Sequence, residues 1–188
     1  MSEIKIAPLT EANWHDFEQL FGTKGAYGSC WCMWWRLSRK EFEKGQGKQN
    51  KSAMHEIVRS GVVPGIILYT DGQPAAWCSV APRESYPTLE RSRLLKRRDD
   101  RPTWVIVCLF VDRKYRRRKL GLAVIKEAIQ FVRENGGSRI EAYPTIPKSK
   151  NVPPVSSYMG FPELFRAAGF EEVAVVSPSR MIMEYRIA

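Results

Sequence analysis

The sequence is poor in the residues that build metal sites, disulfide scaffolds and membrane spans. It has 4 cysteines and 2 histidines among 188 residues. Four cysteines are too few for a disulfide framework at this length. Cys30 and Cys32 lie closer together than the C-x₂₋₄-C spacing of zinc pairs, and His15 and His55 join no ligand-like cluster. No metal is therefore expected, and the thiols read as reduced and packed. No stretch approaches the roughly 18 apolar residues of a membrane span. The opening MSEIKIAPLT lacks the apolar core of a secretory signal. The expectation is a cytoplasmic protein with no membrane partner. G-x-G-x-x-G and G-x-x-x-x-G-K-[ST] are both missing, which argues against the common dinucleotide and P-loop binders.

What is present is a core and an uneven charge. Hydrophobic residues make up 44% of the chain, enough for one domain over 1–188 to bury its own core. The net charge is +10, and residues 91–119 alone hold 12 basic and 3 acidic residues, a local +9. A basic stretch of this kind fits a polyanion or a phosphate-rich ligand.

Periodicity divides the chain into alternating elements. An edge strand lies within 1–10, and Thr10 caps a helix over 11–21, with Asn13 at the capping-box position. A glycine-punctuated loop follows, carrying Trp31, Trp34 and Trp35. Residues 51–60 read as a helix. Residues 65–70 and 74–80 read as strands joined at Asp71-Gly72, a hairpin signal. The proline-broken stretch 81–102 reads as a basic surface loop with one short helix. WVIVCLFV, residues 104–111, is the most apolar run and reads as a buried central strand. A helix over 120–134, a strand over 139–143, a short helix over 162–168 and strands over 173–176 and 181–187 complete the order. The pattern is a mixed α/β sheet with helices on both faces.

The chemistry concentrates in VDRKYRRRKLGLA, residues 111–123. A buried strand enters a basic turn that opens an amphipathic helix. The unpaired N–H groups and the dipole of a helix N-terminus attract anions, a pyrophosphate among them. Arg116, Arg117, Arg118 and Lys119 add charge-assisted donors, and Gly121 permits close approach.

This segment resembles motif A of the GNAT superfamily of acyl-CoA N-acyltransferases, [R/Q]-x-x-G-x-[G/A] after a V-D-x-x-Y-R lead-in. Val111-Asp112, Tyr115-Arg116 and Gly121 match, while Lys119 stands where the first fingerprint glycine is usual. A second register, Arg118-x-x-Gly121-x-Ala123, fits the letters but shifts against the lead-in. The element order also resembles the whole GNAT fold, in which the fourth strand splays from the fifth. The resemblance implies acetyl-CoA as co-substrate. Its pyrophosphate would sit on residues 116–119, Gly121 and Leu122, and its pantetheine arm on the backbone of Leu109, Phe110 and Val111, where one N–H polarises the thioester carbonyl.

It also implies an enzyme that acetylates a primary amine by direct attack in a ternary complex. The acceptor is a small-molecule or peptide amine. Such enzymes often use a tyrosine in the late helix as general acid, but Phe165 occupies that position. Tyr158 and Tyr143 are the substitutes, Glu141 is the first candidate base and Glu84 the second. The tryptophans are either core or an aromatic wall of the acceptor site. A homodimer through the terminal hairpin is compatible with the fold. Two rival readings remain: a non-catalytic acyl-CoA binder, and a nucleic-acid module, which the absence of helix-turn-helix, RNP and zinc patterns disfavours.

Overall fold

The computed structural model describes residues 3–147 and 157–187. Seven strands form one sheet in the order β1-β2-β3-β4-β5-β7-β6. They are β1 Ile4–Pro8, β2 Ile66–Thr70, β3 Gln73–Pro82, β4 Trp104–Val111, β5 Arg139–Ala142, β6 Glu171–Ser177 and β7 Arg180–Arg186. β4 and β5 are parallel, and the other neighbours are antiparallel. The mixed sheet expected from the sequence is therefore present. α5 (Leu120–Glu134) and α6 (Pro162–Ala167) cover one face. α1 (Trp14–Phe21) and α3 (Lys48–Arg59) cover the other.

Local chemistry explains several boundaries. The Thr10 N–H donates to Asn13 Oδ1 at 2.8 Å, so asparagine completes the reciprocal cap before α1. Asp71 and Gly72 both take positive φ, 51° and 74°, as a two-residue hairpin turn requires.

Two sequence expectations need correction. A helix α2 (Arg39–Lys44) stands where only loop was expected, opened by a Ser38/Glu41 capping box. It brings the start of α3 to Lys48, ahead of the expected 51. The stretch 81–102 is more than a surface loop. β3 runs on to Pro82, α4 spans Pro87–Glu90, and Arg83, Tyr86, Leu89 and Leu95 are buried. Tyr86, Leu89 and Leu95 join Val105, Val107 and Tyr143 in a third core cluster.

Two irregularities in β4 shape the functional region. Ser79 pairs with Cys108 and Val80 with Ile106, which leaves Val107 as a bulge. The bulge reverses the alternation. Val105 and Val107 face away from α5, and so do Cys108 and Phe110, while Leu109 and Val111 pack toward α5. β4 also pairs with β5 only over Trp104–Ile106, against Ile140–Ala142. Beyond that point the two strands part.

Candidate active site

The turn after β4 is built from strained, positively charged backbone. Asp112 caps a short 3₁₀ turn by accepting from the Lys114 N–H at 2.7 Å. Arg117 and Lys119 then adopt positive φ, 65° and 60°. Lys119 is the left-handed N-cap of α5. A left-handed conformation explains why glycine suits this position, and lysine there carries roughly 1–2 kcal/mol of strain. The N–H groups of Leu122 and Ala123 return to the Lys119 carbonyl at 3.1 and 3.2 Å. Those of Lys119, Leu120 and Gly121 precede the first helical bonds and point out of the helix end.

The expected anion ligands gather around that end. Arg116, Arg117, Arg118 and Lys119 are exposed. Arg116 Nε donates to the Val111 carbonyl at 3.2 Å, and the Arg118 guanidinium lies 5.4 Å from the Tyr115 ring centre. Gly121 faces Leu164, whose Cδ2 would lie 3.3 Å from an added Cβ. The donor set fits a diphosphate.

The gap between β4 and β5 connects this turn to a second cavity. The Leu109 N–H donates across the gap to the Tyr158 carbonyl at 2.6 Å. On the sheet face away from α5, a cavity of about 310 Å³ is lined by Cys108 and Tyr158 and by the rings of Tyr27, Trp34, Trp35 and Phe42. Cys30, Cys32, Gly28 and Gln46 complete its wall. The three tryptophans of the loop thus divide: Trp31 is core, stacked near Phe21, while Trp34 and Trp35 line the cavity. Burial raises the Tyr158 hydroxyl well above the ordinary phenol range.

The other candidate groups lie elsewhere. Glu141 is 3% exposed at the paired end of β4 and β5, opposite Val105. Its Oε1 accepts from Arg98 Nη2 at 2.7 Å, and its Oε2 accepts from the Tyr143 hydroxyl at 2.8 Å and lies 3.6 Å from Arg83 Nη1. Burial, followed by the Glu141 charge, pushes the Tyr143 hydroxyl up. Glu84 pairs with Arg97 at the surface. Phe165 is fully buried and meets Phe170 edge-on at 5.1 Å, so the late helix offers core there. The part of the basic run before β4 is largely internal chemistry: Arg97, Arg98 and Arg101 pair with Glu84, Glu141, Glu184 and Asp99.

This ionic cluster predicts an acid threshold. The hydrogen bonds of Arg139, then of Arg101, hold the Asp99 carboxyl well below the usual carboxylate range. Burial works to raise Glu184, but Arg186, Arg98 and Arg139 together outweigh it and lower it from 4.5. Depressed carboxylates stabilise the fold fully above their unfolded values and lose that contribution as pH falls through the folded ones. The melting temperature should be flat from pH 7 to 5 and fall below about 4.5. Asp99→Asn should flatten the fall, and an unchanged melting temperature at pH 3 would rule out this coupling.

The match of this chain to known proteins agrees with the geometry. The model of the acetyltransferase (GNAT) family matches residues 31–161, which include β4, the basic turn and the gap. The chain belongs to the GNAT acetyltransferase family. Among solved structures, a GNAT-family protein from Desulfovibrio desulfuricans is 14% identical, with a TM-score of 0.57 and 100% of both chains covered. PaiA N-acetyltransferase from Thermoplasma acidophilum, solved with coenzyme A, is also 14% identical, with a TM-score of 0.56 over 98% of this chain and 99% of that one. YncA from Salmonella typhimurium, solved with acetyl-CoA, is 13% identical, with a TM-score of 0.53 over 97% and 93%. At these identities the structures share the fold. No curated protein matches the chain by sequence.

As a GNAT acetyltransferase the protein is an enzyme that uses acetyl-CoA as co-substrate. No helix among the described residues is long and apolar enough to cross a membrane. Sequence reasoning singled out the basic turn but did not assemble the aromatic cavity. Cys30, Cys32 and Cys108 come together from a loop and a strand more than 70 positions apart in sequence. The tryptophan loop was the one local signal for it.

Proposed function

We propose that the chain, as a single domain over 1–188, transfers the acetyl group of acetyl-CoA directly to a primary amine, with both substrates bound at once. One observation carries this reading. The cavity and the strand gap meet on the same piece of backbone, because Cys108 and Tyr158 line the cavity while Leu109 donates to the Tyr158 carbonyl within the gap.

When bound, acetyl-CoA supplies the acetyl thioester. The α5 N-terminus, Arg116 to Lys119, Gly121 and Leu122 hold its diphosphate. The backbone of Leu109, Phe110 and Val111 would hold the pantetheine arm as an added strand, for which the Leu109 N–H would exchange its present partner, the Tyr158 carbonyl. The aromatic wall excludes water from the attacking amine. Burial keeps Tyr158 neutral; the hydroxyl would pass its proton to the sulfur as the C–S bond breaks and take up the proton shed by the acylated nitrogen, so that it ends the cycle neutral. Glu141 and Tyr143 serve this site at one remove, by fixing Arg83 and Arg98 and with them the 81–103 segment. The exposed Val173 and Val175 on edge strand β6 support a homodimer through the terminal hairpin.

Thiol release from acetyl-CoA across a panel of amines tests the reading. At least one amine should support turnover, and Tyr158→Phe should lower kcat by roughly 100-fold while acetyl-CoA still binds. Saturable acetyl-CoA binding without release for any amine would favour a non-catalytic acyl-CoA binder, a reading that Lys119 and Phe165 keep in view. Full kcat in Tyr158→Phe would remove that residue from the proton path.

A further inference from the structure

We propose that the acceptor is a small monoamine carried on a flat, apolar, aromatic body, an arylalkylamine, seated between Trp34, Trp35, Phe42 and Tyr158. The proposal rests on the acetyl-transfer reading above and adds the class of amine.

The composition of the cavity wall carries the argument. Among the described residues its lining holds five aromatic side chains, three thiols, one glycine and one side-chain amide, with no Asp, Glu, Lys, Arg or His. Its volume, about 310 Å³, lies at the small end of ligand pockets and suits one or two fused rings with a short arm. Tyr27 and Trp34 remain 59% and 40% exposed, so the mouth is apolar as well. The Trp34 ring stands perpendicular to that of Phe42 with centres 5.0 Å apart. This leaves ring faces and edges for a flat guest.

A second observation points independently to a ligand. The loop that forms the wall is held in strained backbone, with positive φ at Ala26 (65°), Ser29 (56°), Trp31 (43°) and Cys32 (60°). Non-glycine residues in this region carry strain, and they cluster at ligand clamps and active sites. The strain turns Cys30, Cys32 and Trp34 toward one cavity.

Charge then selects among amines. A polyamine would leave a second ammonium unpaired against the rings, and an amino acid would leave a carboxylate there; both penalties are large. A monoamine has one charge to lose, and an apolar pocket favours its neutral, nucleophilic form by desolvation. The thiols agree with a single charge. Burial pushes the Cys30 thiol up to about 11, so it stays neutral. The Cys32 thiol is drawn down by its hydrogen bond with Cys108 against the opposing effect of burial, with help from the Trp77 indole, which donates at 3.3 Å, and from Arg36. The ring faces can offset one ammonium on its way in.

The test compares phenethylamine with spermidine and glycine in the thiol-release assay, using the full chain and Trp34→Ala. Phenethylamine should show a kcat/KM at least tenfold above either competitor. Trp34→Ala should raise its KM by about tenfold, a ring–ring contact's worth, with acetyl-CoA affinity unchanged as the control for folding. Preference for spermidine or glycine, or an unmoved KM in Trp34→Ala, would overturn the proposal. If acetyl-CoA binds but no amine releases thiol, the transfer reading fails while the pocket can still be judged. Tryptophan fluorescence of the coenzyme A-loaded protein should then be quenched saturably by phenethylamine and not by spermidine. The absence of such quenching sinks the pocket assignment too.

Discussion

Arg83→Met is expected to destabilise the protein by about 3–5 kcal/mol, the range for breaking a buried ion pair from one side. Arg83 is 1% exposed. Its guanidinium donates to Glu90, to the Tyr143 hydroxyl and to the Leu95 carbonyl, and it stands 3.6 Å from Glu141. Methionine fills much of the volume but leaves the buried Tyr143 hydroxyl, Leu95 carbonyl and Glu141 carboxylate with fewer donors. Arg98 still holds Glu141, which puts the expected loss toward the lower end of the range. Chemical denaturation of Arg83→Met, Glu141→Leu and the double variant forms a cycle. The double variant should be more stable than the sum of the single losses predicts. Strict additivity would mean that the two residues do not act as one unit.

Gly121→Val is expected to weaken acetyl-CoA binding by roughly 30-fold or more, about 2 kcal/mol. Gly121 is the second residue of α5, at the helix end where the exposed N–H groups and Arg116 to Lys119 converge. A branched side chain there crowds the approach of the diphosphate and presses on Leu164, 3.3 Å from the added Cβ. Fold stability should fall by only about 1 kcal/mol, since Leu164 is a flexible neighbour. Calorimetric titration separates the two effects from each other. Unchanged affinity in Gly121→Val would move the diphosphate away from this turn.

The strand, basic turn and helix of the proposed cofactor site were legible because their signals are local. An unbroken apolar run, a basic turn and a 3.6-period helix follow one another within residues 104–134, and each reports its structure without distant partners. The same holds for Asn13 at the cap of the first helix and for the Asp71-Gly72 hairpin. The missed helix α2 is a failure of weighting, since Ser38 and Glu41 spell out a capping box ahead of only six helical residues.

The aromatic cavity and the buried ion cluster depend on long-range assembly. Arg83 reads as one more surface cation until Tyr143 and Glu141, about 60 positions away, are seen to bury it. Cys30 and Cys32 read from the sequence only as reduced, packed thiols. Left-handed backbone at Trp31 and Cys32 places them instead on a cavity shared with Cys108. Nothing in the spacing of the chain encodes a bulge at Val107, yet the bulge sets Cys108 on the cavity side and Leu109 on the gap side.

The central claim is that the turn after β4 binds acetyl-CoA through its basic residues. The direct measurement is calorimetric titration of the purified protein with acetyl-CoA, repeated with Arg116→Ala. Arg116 is exposed and bonded to the Val111 carbonyl at 3.2 Å, so its removal leaves the core untouched. Saturable micromolar binding, weakened about tenfold in Arg116→Ala, is the predicted result. No binding, or binding identical in the two proteins, would contradict it.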